Sequence, residues 1–171
     1  MFYSNLYFND TVNGNGFRTS LFVSGCSKQP KCKNCWNPQA WNFKYGQEFT
    51  QETKDKILNS LDNKYIKGLS ILGGEPMSNL EDGVLIDLVK SVKERYPNKT
   101  IYCWTGYTFE YLIKYPLSLE FIKYLDMLRD GEYIEELKNL EQYLNGSSNQ
   151  RLIDVQNSLS QGKTIEYKVV I

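Results

Sequence analysis

Three cysteines lie within ten residues of a chain of 171 that contains no histidine. Cys26, Cys32 and Cys35 have the spacing C-x5-C-x2-C, and the fourth cysteine, Cys103, lies far along the chain. Thiolate is a soft ligand that suits iron–sulfur clusters and zinc. The absence of histidine excludes Ser-His-Asp and Cys-His catalysis and every imidazole-ligated metal site. The chemistry of this chain must therefore rest on cysteine, carboxylates, lysine, tyrosine or a cofactor.

The number of thiols in this loop leaves two interpretations open. A structural zinc and a fully ligated [4Fe–4S] cluster each need four ligands, and the only remaining soft ligand is Cys103, inside a predicted strand. If Cys103 does not bind, a cluster on three cysteines has one iron free for another molecule. The alternative is a structural zinc with Cys103 or a carboxylate as fourth ligand. The neighbouring Lys28, Lys31 and Lys33 either stabilise thiolates or form a solvated loop surface.

Net charge and hydropathy limit the classes of partner and the cellular compartment that we expect for this chain. The formal net charge is zero, whereas a nucleic-acid-binding domain carries a basic patch, so we expect no nucleic-acid partner. No apolar run approaches the roughly 18 residues that span a bilayer. The first ten residues lack the basic and apolar pattern of a secretory signal. We therefore expect a cytoplasmic protein with no membrane partner and with reduced cysteines.

Short apolar runs alternate with segments of helical periodicity, which predicts an α/β fold with a mostly parallel sheet. Strands are predicted over 21–23, 69–72, 101–104 and 127–129. Helices are predicted over 50–61, 82–96, 109–114 and 118–125, the first capped by Thr50. Residues 164–171 alternate like an edge strand. No domain boundary or repeat is visible, so residues 1–171 are expected to form a single domain.

Unusual residues follow three of the predicted strands. The cysteine loop follows the first strand, Gly-Gly-Glu-Pro at 73–76 the second, and Thr-Gly-Tyr at 105–107 the third. Ligands of parallel sheets gather beyond the carboxyl ends of the strands, so we expect a common site there. The simpler alternative is that glycines merely end strands. Glu75 either accepts a hydrogen bond from an ammonium group or is a solvated turn carboxylate.

The motifs in this order resemble those of the radical S-adenosylmethionine enzymes, and within them the activating enzymes of anaerobic (class III) ribonucleoside-triphosphate reductases. Similar segments are V-N-G-x-G-x-R at 12–18, the cluster loop at 21–26 and 35–37, GG-(D/E)-P at 73–76, W-T-G-Y at 104–107, D-G at 130–131 and G-S-x-N-Q-R at 146–151. The family's usual cysteine spacing is C-x3-C-x2-C. Residues 29–31 lengthen that loop in this chain.

This resemblance implies a fold and a reaction. The fold would be an open partial (β/α) barrel of the radical S-adenosylmethionine type, with residues 1–171 as one activase domain. Cys26, Cys32 and Cys35 would bind three irons of a [4Fe–4S] cluster, and S-adenosylmethionine would chelate the fourth. The reduced cluster would cleave S-adenosylmethionine to a 5′-deoxyadenosyl radical. That radical would take a hydrogen atom from a glycine of the reductase and so create its glycyl radical.

The resemblance also implies cofactor-binding residues and partners. The implied contacts along the adenine side of S-adenosylmethionine are Asn34, Cys35 and Trp36. The implied contacts at its methionine end are Gly73, Gly74 and Glu75. No catalytic residue is expected beyond the cluster and S-adenosylmethionine. The implied partners are the large subunit of the anaerobic ribonucleoside-triphosphate reductase and a flavodoxin- or ferredoxin-like electron donor. The competing function is a non-catalytic zinc or iron–sulfur binding module that docks to a partner protein.

Overall fold

The computed structural model describes residues 1–168, and its seven strands form one open sheet. The strands are β1 (Phe2–Asp10), β2 (Phe17–Ser24), β3 (Gln47–Glu48), β4 (Ile66–Gly73), β5 (Thr100–Trp104), β6 (Met127–Asp130) and β7 (Arg151–Asp154). Their order is β3-β1-β2-β4-β5-β6-β7. The four central strands β2, β4, β5 and β6 are parallel, and the flanking strands pair antiparallel. The predicted α/β fold is therefore confirmed.

Helices connect the parallel strands, as the alternating periodicity predicts. The helices are α1 (Gln51–Leu61), α2 (Val84–Arg95), α3 (Phe109–Leu112), α4 (Pro116–Ile122) and α5 (Val155–Gln161). Thr50 caps α1, since its hydroxyl accepts a 3.3 Å hydrogen bond from the backbone N–H of Thr53. No helix within residues 1–168 is long and apolar enough to cross a membrane.

The two faces of the sheet differ in character because strand side chains alternate between them. Leu21, Ile71 and Cys103 on one face belong to the same apolar core as the buried side chains of α1 and α2. The opposite face carries polar side chains that are fully buried, among them Ser20 and Ser70. A polar inner face of this kind is unusual in a sheet whose strands are buried. It indicates that the side chains on this face have a role in addition to packing.

Arg18 organises the polar face. Its Nε donates to the hydroxyl of Ser70 at 2.7 Å, and Nη1 donates to the hydroxyl of Thr100 at 2.9 Å. Nη2 donates to the carbonyl oxygens of Leu69 and Thr100 at 2.8 and 2.9 Å. The guanidinium also lies 3.7 Å from the centroid of the Tyr102 ring. Every nitrogen of this buried cation is hydrogen-bonded, so Arg18 ties β2 to β4 and β5.

Four of these strands and helices lie outside the sequence prediction: β1, β3, β7 and α5. The predicted edge strand over 164–171 is wrong for residues 164–168. Their backbone meets β7 at a single bridge between Ile153 and Glu166, which is too short to form a strand. β7 itself takes the position beside β6 at the edge of the sheet. Residues 169–171 lie outside the described part of the chain.

Candidate active site

A cavity of about 480 Å³ opens where the central parallel strands end. Its wall includes Cys26 after β2, Gly74 after β4, Gly106 after β5 and Gly131 after β6. The carboxyl ends of parallel strands share one edge of a sheet, which brings these short segments together. The expectation that these segments meet at one edge of the sheet is confirmed, and their role as a common binding site stays a prediction.

All three loop cysteines line this cavity as free, half-buried thiols. Burial raises the pKa of Cys26, and burial followed by the nearby Glu132 carboxylate raises the pKa of Cys32 to about 11. Cys103 is fully buried in the apolar core, on the face of the sheet opposite the buried serines Ser20 and Ser70. Its side chain therefore lies apart from the loop thiols, and the cavity offers three sulfur donors.

The donor chemistry of this cavity fits a [4Fe–4S] cluster, because its three thiols are soft ligands. Within residues 1–168, no three Cys, Asp or Glu side chains are grouped so that they could hold one metal ion. A structural zinc needs four ligands that converge on a single point. A [4Fe–4S] cluster is bound by thiolates at separate irons, so its ligands surround a volume and do not meet at a point. Three soft thiols around one cavity match that requirement.

The glycine pair lets the end of β4 pack directly against the cysteine loop. Gly73 has a φ of 111°, in the left-handed region that favours glycine. A Cβ atom on Gly74 would lie 2.5 Å from the carbonyl oxygen of Gly25 and 2.7 Å from that of Ala40. Backbone packing therefore explains Gly74 without a ligand. Both glycines also form part of the cavity wall, and their contact with a ligand stays a prediction.

Glu75 is buried beside the cavity and fully hydrogen-bonded. Its Oε1 accepts from the hydroxyl of Thr105 at 2.8 Å and from the N–H of Met77 at 3.1 Å. Its Oε2 accepts from the N–H of Gly106 at 2.8 Å. Burial raises the pKa of this carboxyl although all three donors favour the charged form. The interpretation of Glu75 as a solvated turn carboxylate is therefore wrong, because the side chain joins two strand ends.

The remaining predicted contacts are divided between the cavity and the surface. Trp36 and Cys35 both lie in the cavity wall, and Trp36 is 69% exposed at its edge. Asn34 is exposed and outside the wall, and its side chain helps to lower the pKa of the Glu135 carboxyl. Five of the six predicted cofactor contacts thus line the cavity, and Asn34 does not.

The lysines of the loop bind neighbouring backbone and carboxylates. Lys28 Nζ donates to the carbonyl oxygen of Gly106 at 3.1 Å and lies 3.6 Å from a Glu132 oxygen. Lys33 Nζ forms an exposed 2.7 Å ion pair with Glu136. These contacts fix the cysteine loop to residues 132–136, on the segment that follows β6. They give the lysines a tethering role that neither interpretation from the sequence included.

Sequence reasoning missed a half-buried arginine at the end of β6. Arg129 lines the cavity, and its Nη2 donates to Oε1 of Gln150. That same oxygen accepts from the N–H groups of Gly146 and Ser147 at 2.9 and 3.0 Å. Arg129 Nε and Asn145 Oδ1 are buried without a hydrogen-bond partner in the described chain. The signal in the sequence is an arginine within a short apolar strand.

Comparison with known proteins gives matches over most of the chain. The family model described as 4Fe-4S single cluster domain matches residues 12–153. The anaerobic ribonucleoside-triphosphate reductase-activating protein of Enterobacteria phage T4 is 41% identical over 152 residues, 89% of this chain and 93% of that protein. Proteins of the same name from Vibrio cholerae and Escherichia coli K12 are 41% and 36% identical, each covering 88% of this chain and 96% of its own. No solved structure matches significantly.

Proposed function

The chain belongs to the family of anaerobic ribonucleoside-triphosphate reductase-activating proteins with a 4Fe-4S single cluster domain, and we propose that it generates the glycyl radical of such a reductase. The observation that carries this proposal is the set of three free, half-buried cysteines around one cavity. When bound, the [4Fe–4S] cluster supplies the electron that cleaves S-adenosylmethionine to the radical that acts on the reductase.

The residues of this chain are proposed to bind, orient and shield. Cys26, Cys32 and Cys35 hold the cluster through their sulfurs. Gly73 and Gly74 present backbone to the methionine end of S-adenosylmethionine, while Trp36 covers the adenine side. Asn34 contributes on that side only if its exposed side chain turns toward the cavity. These roles place no proton transfer on a protein side chain, in line with the absence of histidine.

The sheet is proposed to be an open partial (β/α) barrel of the radical S-adenosylmethionine type. The four parallel strands, the helices that connect them and the cavity at their carboxyl ends support this architecture. Residues 1–171 are proposed to act as a single activase domain. The free cysteines support a reducing, cytoplasmic location.

Two protein partners follow from the proposed reaction. The large subunit of the reductase is the substrate, and its glycine segment enters the open cavity. A flavodoxin- or ferredoxin-like protein is the proposed electron donor. The sequence has four cysteines, three of them in the cluster loop, so a second cluster cannot be built within the chain to store electrons.

Anaerobic reconstitution tests the proposal directly. About four iron and four sulfide per chain are expected, whereas one zinc per chain would support the non-catalytic binding module. The reduced protein with S-adenosylmethionine should give a glycyl radical signal in electron paramagnetic resonance only when the reductase is present. Rapid turnover of a small substrate without a partner protein would contradict the activating function and leave radical chemistry intact.

A further inference from the structure

Two arginines of this chain, the fully buried Arg18 and the half-buried Arg129, differ in how their charge is satisfied. Burial lowers the pKa of both Arg18 and Arg129 to about 10, and neither forms an ion pair within residues 1–168. Arg18 uses all three nitrogens in hydrogen bonds and lies against an aromatic ring. Arg129 uses one nitrogen, Nη2, which donates to the side chain of Gln150. Arg18 is therefore satisfied by the fold, and Arg129 is not.

The unsatisfied guanidinium lies in the wall of the cysteine cavity. Arg129 Nε is buried without a partner in the described chain, and so is the Oδ1 atom of Asn145 in the same wall. Buried polar groups in native proteins are almost always hydrogen-bonded, and buried charges are paired. A guanidinium nitrogen and an amide oxygen that lack partners, on two side chains of one cavity wall, therefore point to a ligand with an anionic group and a nearby donor.

The carboxylates nearest to Arg129 are already engaged. Both oxygens of Glu75 accept hydrogen bonds from backbone and hydroxyl donors. Asp130 accepts from the N–H of Phe109 at 2.8 Å and from Nε of Arg151 at 3.0 Å. Neither carboxylate is free to pair with Arg129. An anionic group that enters the cavity would give Arg129 a direct partner.

The segment after β6 holds the guanidinium in place. Gln150 is buried, and its Nε2 donates to the carbonyl oxygen of Gly131 at 3.0 Å while Oε1 accepts from Arg129 and two backbone N–H groups. The next residue, Arg151, forms an ion pair with Asp130. This network leaves Arg129 little freedom to turn toward solvent. The G-S-S-N-Q-R motif at 146–151 thus fixes the position of the Arg129 guanidinium.

We propose that Arg129 binds the carboxylate of S-adenosylmethionine and that Asn145 accepts a hydrogen bond from a donor of the same molecule; this inference rests on the proposed function. A guanidinium presents a planar set of donors that matches a carboxylate, and the pair is strongest when it is shielded from water. The cluster is the other anion expected in the cavity, so the test must separate the two.

The test compares two ligands with two proteins that contain the reconstituted cluster. Decarboxylated S-adenosylmethionine keeps the sulfonium, the amine and the adenosine and lacks only the carboxylate. Anaerobic calorimetry should show that Arg129→Met weakens S-adenosylmethionine binding by roughly 10- to 100-fold, the range of a charge-assisted hydrogen bond. Binding of the decarboxylated ligand should change by less than about 3-fold. Arg95→Met, at an exposed position on α2, is the matched control and should leave both affinities unchanged.

The cycle cancels the contribution of iron chelation, because both proteins contain the same cluster. Equal weakening of both ligands, or of neither, would overturn the assignment. A shifted cluster reduction potential with unchanged discrimination between the ligands would assign Arg129 to the cluster and also overturn it. If Arg129→Met does not fold, Arg129→Lys is the second variant, since it keeps the charge and lacks the planar set of donors. It should lose part of the preference for S-adenosylmethionine over the decarboxylated ligand. A preference equal to that of the wild type would count against the proposal. Failure of the wild-type protein to bind S-adenosylmethionine would instead contradict the proposed function.

Discussion

The backbone N–H of Gly106 donates a 2.8 Å hydrogen bond to Oε2 of Glu75. The other oxygen of this carboxylate accepts from the hydroxyl of Thr105 and the N–H of Met77. A buried side chain after β4 thus fixes the turn after β5, and both turns form part of the cavity wall. Two short motifs that are separate in the sequence are one structural unit at the site.

Replacing Glu75 by Gln is expected to destabilise this unit. The amide retains one acceptor oxygen and directs an NH₂ group at a backbone or hydroxyl donor, which leaves at least one buried donor without an acceptor. The free energy of unfolding should fall by about 1–3 kcal/mol, as measured by urea denaturation. Glu48→Gln, on the exposed strand β3, is the control and should have little effect. Equal stability of the two variants would contradict the structural role of Glu75.

The position of Cys103 separates it from the three cysteines of the loop. Cys26→Ala, Cys32→Ala and Cys35→Ala should each prevent assembly of the cluster, because a ligand is lost. Cys103→Ala removes a sulfur from the apolar core and should keep the iron content, with a loss in unfolding free energy of about 1 kcal/mol. Iron and sulfide analysis after reconstitution measures the result. Loss of the cluster in Cys103→Ala would make that thiol a fourth ligand and remove the open iron.

The sequence predicts those parts of the fold in which burial is strong and local. The central strands contain short apolar runs whose residues are mostly buried, and Thr50 marks the start of α1 by its capping chemistry. β1 is mostly intermediate or exposed along its length, so its pattern is weak, and it exists because it pairs with β2. β7 likewise depends on the edge that β6 offers.

The site was predictable where chemistry depends on residue type and spacing. The cysteine loop and the strand-end glycines identify the cavity from the sequence alone. The roles of Arg129 and Asn145 depend on what lies around them in space, since an arginine that is satisfied like Arg18 cannot be distinguished by sequence from one that is not. The exposed place of Asn34 depends in the same way on the fold of the loop around it.

The ion pair between Arg151 and Glu110 should weaken at acid pH. Arg151 donates to both oxygens of Glu110 at 3.1 and 2.8 Å, and this contact lowers the pKa of that carboxyl from 4.5 to about 2. A lowered pKa means that Glu110 stabilises the fold above its unfolded pKa and loses this effect as pH falls from about 4.5 toward 2.

Glu110→Gln should therefore lower the free energy of unfolding at pH 7 by at most about 1 kcal/mol, since the pair is half-exposed. The difference between the variant and the wild type should shrink as pH falls through this window, in urea denaturation at several pH values. Glu81→Gln, an exposed carboxylate elsewhere, controls for the removal of one charge. A difference that grows at low pH would contradict the assigned direction.

Gly74 is expected to be required for the cysteine loop before it is required for any ligand. A Cβ atom at this position would lie 2.5 and 2.7 Å from two carbonyl oxygens of the backbone, and backbone cannot move aside as a flexible side chain can. Gly74→Ala should therefore displace Gly25 and the neighbouring Cys26, with loss of cluster assembly together with weaker S-adenosylmethionine binding. Gly162→Ala is the control: its Cβ would meet nothing within 4 Å, so only its φ of 63° causes strain, of about 1–2 kcal/mol. If Gly74→Ala assembled a full cluster and lost only S-adenosylmethionine affinity, the glycine would serve the ligand directly and the packing explanation would fail.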